Sequence, residues 1–149
     1  MKFLLFLFAG MLLFAAELKI TSQKFFYNSQ KMYSEFIGDV NATKEKDNIL
    51  ADKMYVYFNK QKKPTKFIAI GHVKFIFSLD NNATYKGHCD RLEYYLKSGD
   101  IYLIGNAFIK KIETNESISG SKIKMNRFTK DISVIGNKKP VNIIIKVNE

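Results

Sequence analysis

The chain has 149 residues, with 46% hydrophobic, 14% aromatic, two histidines, one cysteine and no tryptophan. One cysteine excludes an internal disulfide, and no Cys/His pair has the spacing of a zinc site. The formal net charge of +10 suits polyanionic partners such as nucleic acid, anionic lipid or acidic glycan, or simply keeps a sheet-rich protein soluble.

Lys2 precedes an apolar run from Phe3 to Phe14 broken only by Gly10, and Ala15, Ala16 and Glu17 follow. This is the plan of a secretory signal, with cleavage expected near Ala16. The bulky Phe14 is atypical at the third place before that cut. An uncleaved anchor is the other reading, but the run falls short of the roughly 20 residues a spanning helix needs. No cysteine follows the run to carry a lipid. Residues 17–149 then form one domain, large enough to bury a core. Loss of Lys2 leaves that domain at +9. Export makes nucleic acid the weakest of the three partners, so no nucleic acid is expected.

Period-two alternation dominates from there on. Phe25 and Tyr27 open an apolar face, and Met54, Val56 and Phe58 repeat it. Phe67 and Ala69 follow, then Val73, Phe75 and Phe77. Leu92, Tyr94 and Leu96 come next, then Ile101 and Leu103, with Ile109 beyond. Ile123 and Met125, and Ile132 and Val134, complete the series. Polar turn stretches separate these strands at 44–48, 60–64, 79–82, 98–100, 113–116 and 137–140. The segment from Val141 to Val147 reads as a last strand, which would invite pairing if left open.

One phrase recurs four times: Ser22-Gln23-Lys24-Phe25, Ala51-Asp52-Lys53-Met54, Cys89-Asp90-Arg91-Leu92 and Gly120-Ser121-Lys122-Ile123. Each copy ends in isoleucine-glycine, at Gly38, Gly71, Gly105 and Gly136, separated by 33, 34 and 31 residues. Such a period marks a repeat architecture, and glycine inside a strand marks a bulge or bend. Each unit therefore reads as strand, turn, strand, glycine kink, strand. The expected fold is all-β: antiparallel hairpins stacked into a β-jellyroll or roll with one apolar interior.

Equipment for catalysis is scarce. His72 takes the slot held by Asp39, Asn106 and Asn137 in the other copies, so it reads as a bend residue. His88 and Cys89 adjoin on a strand and therefore face opposite sides. No nucleophile elbow, phosphate loop or metalloprotease motif occurs. Cys89 fills the small slot of its repeat and reads as a packed thiol. No catalytic residue, metal or cofactor is expected.

The apolar face has two readings, a dry core or a groove for acyl chains. In the second reading the lining is Met54, Val56, Phe58, Phe67, Val73, Phe75, Phe77, Leu92, Tyr94, Leu96, Ile101, Leu103, Ile109, Ile123 and Met125. Lys24, Lys53, Arg91 and Lys122 share one repeat position. They would form a ladder of positive charge along one edge of the sheet, either for phosphates and acidic sugars or as a solvated edge that resists aggregation. Asn41, Asn82 and Asn115 each begin an N-x-[ST] acceptor with an acid two residues earlier. The longer pattern resembles the acidic sequon of bacterial N-glycosylation systems, although turns favour these residues anyway.

The phrases "ADKMYVYF…FIAIGHVKF" and "CDRLEYYLKSGDIYLIGNAFI" behind a signal-like start resemble the OstA-like family, and within it the LptA group. The resemblance covers essentially all of residues 17–149. It implies a periplasmic jellyroll twisted into a V-shaped groove that shields the acyl chains (lipid A) of lipopolysaccharide. It also implies end-to-end joining into a head-to-tail homo-oligomer, between inner-membrane LptC-like and outer-membrane LptD-like jellyrolls. An uncleaved N-terminus would favour an LptC-like, membrane-anchored component. A self-assembling β-scaffold without lipid would show the same repeats.

Overall fold

The computed structural model describes residues 17–80, 83–138 and 140–147. The expected signal at 1–16 lies outside them. Ten strands form one antiparallel sheet among the described residues. They are β1 (Leu18–Thr21), β2 (Lys24–Asn28), β3 (Tyr33–Lys44), β4 (Asp47–Phe58), β5 (Pro64–Asp80), β6 (Ala83–Tyr95), β7 (Asp100–Lys111), β8 (Ser117–Asn126), β9 (Ile132–Ile135) and β10 (Asn142–Ile144). The order from β3 to β8 is sequential; β1 and β2 share one side of β3, and β9 and β10 share one side of β8. This is the all-β jellyroll expected from the alternation, open along two edges.

Every long strand is interrupted near its middle. The register shifts between Ile37 and Val40, Leu50 and Lys53, Ile70 and Val73, His88 and Arg91, and Ile104 and Ala107. Bulges bend the strands that carry them. Aligned across the sheet, they fold it into two leaves along one line. The first leaf holds β2, 33–37, 53–58, 64–70, 91–95, 100–104, 122–126 and β9. The second holds β1, 40–44, 47–51, 73–80, 83–89, 107–111, 117–120 and β10.

The repeated phrase builds this line. Gly71 and His72 both adopt left-handed backbone, with φ of 86° and 49°, which glycine tolerates at no steric cost. Asp52, the polar residue of the phrase, lies over Gly71 where a Cβ would stand, and its Oδ2 meets His72 Nδ1 at 2.7 Å. Asp90 covers Gly105 in the same way and accepts from Asn106 Nδ2 at 3.1 Å. Gln23 covers Gly38 and donates to Asp39 Oδ2 at 3.0 Å. The fourth copy departs from the expected kink. Ser121 offers no carboxylate or amide at this position, Gly136 is not left-handed, and β9 stops at Ile135. Pairing with β8 resumes only at Asn142.

The core fills the space between the leaves. Ala51, Val73, Cys89 and Ala107 lie on one side of the fold line, and Met54, Ala69, Leu92 and Leu103 on the other, all buried. The small residues there let the leaves approach closely. Gly87 allows a second close approach, since a Cβ there would strike the Phe108 carbonyl and the Phe75 ring.

The last strand is shorter than the sequence implied. Only 142–144 pair, with Ser119, Ile118 and Ser117, and β8 begins at Ser117. The chain therefore outruns its partner, and Ile145 and Val147 extend past it, exposed.

Candidate functional site

The fifteen inward residues divide into two groups. Val56, Val73, Phe75, Leu92, Ile101, Leu103, Ile109, Ile123 and Met125 are fully buried in the packed core. Phe58 packs against it, part-buried. Met54 and Phe77, also buried in the core, join the part-exposed Phe67, Tyr94 and Leu96 in lining a cavity of about 390 Å³ between the leaves. Its remaining wall includes Leu18, Ala42 and Ile49 from the second leaf and Pro64 from the first. The rings of Phe67 and Tyr94 lie 6.0 Å apart across neighbouring strands. The cavity opens at the strand ends farthest from the fold line, where the leaves diverge.

Polar groups gather at this mouth. Arg127 Nη2 donates to Asp47 Oδ2 at 2.6 Å, and Asp47 Oδ1 accepts the backbone N–H of Ser78 at 2.9 Å. The guanidinium lies 5.9 Å from the centre of the Tyr94 ring. Burial works against its charge, but the bond to Asp47 and that carboxylate's charge outweigh it, so its pKa is held above the ordinary value. Lys44 and Glu45 complete the rim. The sequence marks Lys44, Glu45 and Asp47 only as part of a polar turn and gives Arg127 no role. The signal was available: Ile123, Met125 and Arg127 share one parity, as do Asp47, Ile49 and Ala51. Two opposite charges on inward positions mark a pair facing an interior.

The four bases do line up. Register places Lys24, Ile37, Lys53, Ile70, Arg91, Ile104, Lys122 and Ile135 side by side across the first leaf. Every second strand carries a cation, so neighbouring cations stand about 10 Å apart. The row crosses the outer face, opposite the cavity, and does not run along one edge as expected, because each base lies on a different strand of the sheet. Lys53 pairs with Glu35 at 3.6 Å and Arg91 with Glu93 at 2.7 Å. Each glutamate also accepts a tyrosine hydroxyl, Tyr55 at 3.2 Å and Tyr95 at 3.0 Å.

The three asparagines differ in setting. Asn41 lies within β3, its Oδ1 accepting from Asn48 Nδ2 at 2.7 Å. Asn115 is exposed in the turn between β7 and β8, with φ of 62°. Asn82 lies outside the described residues.

His88 is exposed and stacks on Phe108 at 5.3 Å, on the side opposite the buried Cys89. Burial pushes the Cys89 thiol up to about 12, far from a reactive thiolate.

The fold resembles the crystal structure of LptH from Pseudomonas aeruginosa, the LptA homologous periplasmic component of the lipopolysaccharide transport device. The TM-score is 0.78 at 11% identity, covering 89% of this chain and 96% of that one. No curated protein sequence matches. Residues 19–131 match the family described as LptA/(LptD N-terminal domain) LPS transport protein. That span takes in every strand from β2 to β8, three whole copies of the phrase and the start of the fourth, so the chain belongs to this family of lipopolysaccharide transport proteins, which are carriers and not enzymes.

Proposed function

We propose that this chain carries lipopolysaccharide through the periplasm, with acyl chains in the cavity between the leaves and phosphates and sugars in water. The observation that carries this reading is the apolar cavity itself, walled by Phe67, Phe77, Tyr94 and Leu96 and open at one end. Apolar walls with a few convergent polar groups are the usual form of a ligand site. Methionine and aromatic side chains accommodate an irregular apolar guest. Residues 1–16 serve as the export signal and are removed.

Assembly follows from the two open edges. Phe26 is 56% exposed on β2, and Ile144 is 56% and Val147 79% exposed at the other edge. Unpaired edges with apolar side chains favour strand addition, and two different edges give a head-to-tail array. Copies join in this way, with LptC-like and LptD-like jellyrolls at the ends of the bridge. The outer row of Lys24, Lys53, Arg91 and Lys122 meets sugars and phosphates from outside the roll. Among the described sequons, Asn115 is the one we assign as a glycan acceptor, and the intact mass of the exported protein beside Asn115→Gln tests that.

The functional test is retention of cargo. Protein purified from the periplasm without detergent should carry lipopolysaccharide and form a ladder of crosslinked oligomers. Deletion of 142–147 should shorten the ladder and leave the lipid in place. Oligomers that hold no lipid would favour a bare scaffold.

A further inference from the structure

Among the described residues, three ion pairs lie on the outer surface: Lys53–Glu35, His72–Asp52 and Arg91–Glu93. Arg127–Asp47 differs. Its partners come from opposite leaves, are 80 residues apart in sequence, and meet across the cavity mouth. Both side chains are largely withdrawn from water, at 25% and 17% exposure. Nη2 also reaches the Ser78 carbonyl at 3.5 Å, so the guanidinium ties β8 to both β4 and β5.

An acyl chain entering beside Arg127 and Asp47 would meet this bond at the cavity wall. Simply breaking it would strand a half-buried guanidinium beside Tyr94, and an unpaired buried charge is strongly unfavourable. A phosphate removes that difficulty. The planar fork of arginine pairs with phosphate as well as with carboxylate. Asp47 would keep its bond from the Ser78 N–H and could turn its freed oxygen to water. Lys44, on the same rim, supplies a second cation.

We propose that Arg127 is an anion-binding residue at the cavity mouth that exchanges Asp47 for the phosphate of an acylated lipid as its chains enter. The assignment rests on the carrier reading above and adds the group that recognises the headgroup. In the empty protein the same residue holds the leaves together.

The test compares two lipids with identical acyl chains, one bisphosphorylated lipid A and one with both phosphates removed, binding to the exported chain. A charge-assisted bond to phosphate predicts about 10-fold tighter binding of the phosphorylated form. Arg127→Ala should lose this preference and keep its binding of the dephosphorylated lipid. Arg127→Lys should restore part of it, since the charge remains and the fork does not. Asp47→Asn removes the competitor and should tighten binding of the phosphorylated lipid several-fold; it reads the same exchange should Arg127→Ala fail to fold. Inorganic phosphate at the lipid's own concentration should leave binding unchanged, and displacement by it would make Arg127 a free-anion site, against the assignment. Equal binding of both lipids to the native chain would overturn this proposal alone. Binding of neither would overturn the carrier reading with it.

Discussion

Leu92 and Tyr94 stand two residues apart on β6 and point to the same side of the sheet, yet they meet different surroundings. Leu92, beside the fold line, is fully buried, whereas Tyr94 keeps part of its surface and lines the cavity. The difference is distance from the hinge. Near the bulges, Ala51, Cys89 and Ala107 let the leaves close on Leu92 and Leu103. Farther out the leaves diverge, and even phenylalanine and tyrosine leave space between them. One sequence pattern thus makes a rigid spine at one side and a binding mouth at the other.

The largest expected contrast is in stability. Leu92→Ala should cost about 2–5 kcal/mol, because the packed spine cannot collapse around the gap. Phe67→Ala at the mouth should cost roughly 1–2 kcal/mol, since part of its surface is already in water, while retained lipid falls. Denaturant midpoints for the two variants give the comparison, and equal losses would mean that the mouth is packed like the spine.

The hinge can be probed through its glycines. Gly71→Ala forces a side chain into left-handed backbone and against Asp52, at about 1–2 kcal/mol. Gly136→Ala, in the copy without a kink, should stay within about 0.5 kcal/mol. A similar cost at both would put the hinge energy elsewhere.

Cys89 reports whether the spine opens. Its thiol should resist alkylation at pH 8 until the protein unfolds, and Cys89→Ser should cost about 1–2 kcal/mol with transport intact. Rapid alkylation of the native protein would mean that the leaves separate at the hinge as well as the mouth.

The smallest effect concerns His72. Its bond to Asp52 raises its pKa above 6.5, with the aspartate's charge acting in the same direction. A raised value means the pair's contribution is fully present below pH 6.5 and fades as pH rises through the folded value. Asp52→Asn should return the His72 titration, followed by NMR, to the ordinary range.

Much of this design was legible in the sequence. Alternation gave the inward parity of Met54, Leu92 and Ile123, and the glycine period marked the fold line. The base at each repeat start did form one row. Depth was not legible, because parity says which side a residue faces and not how far away the opposite leaf lies. So Phe75 and Phe67 looked alike, though one is core and the other cavity wall. The Arg127–Asp47 pair was hidden for a related reason. Parity turns both residues inward, but only the folding of the sheet brings these two strand ends together.

The most direct test of the account places a photocrosslinking residue at Phe67 and, separately, at Lys66. Phe67 lines the cavity, while Lys66 lies on the outer face with its ammonium 4.4 Å from the Tyr57 ring centre. With purified lipopolysaccharide, the account predicts strong adducts at Phe67 and none at Lys66. Adducts at Lys66 alone, or at neither site in a folded protein, would contradict a carrier that holds its lipid between the leaves.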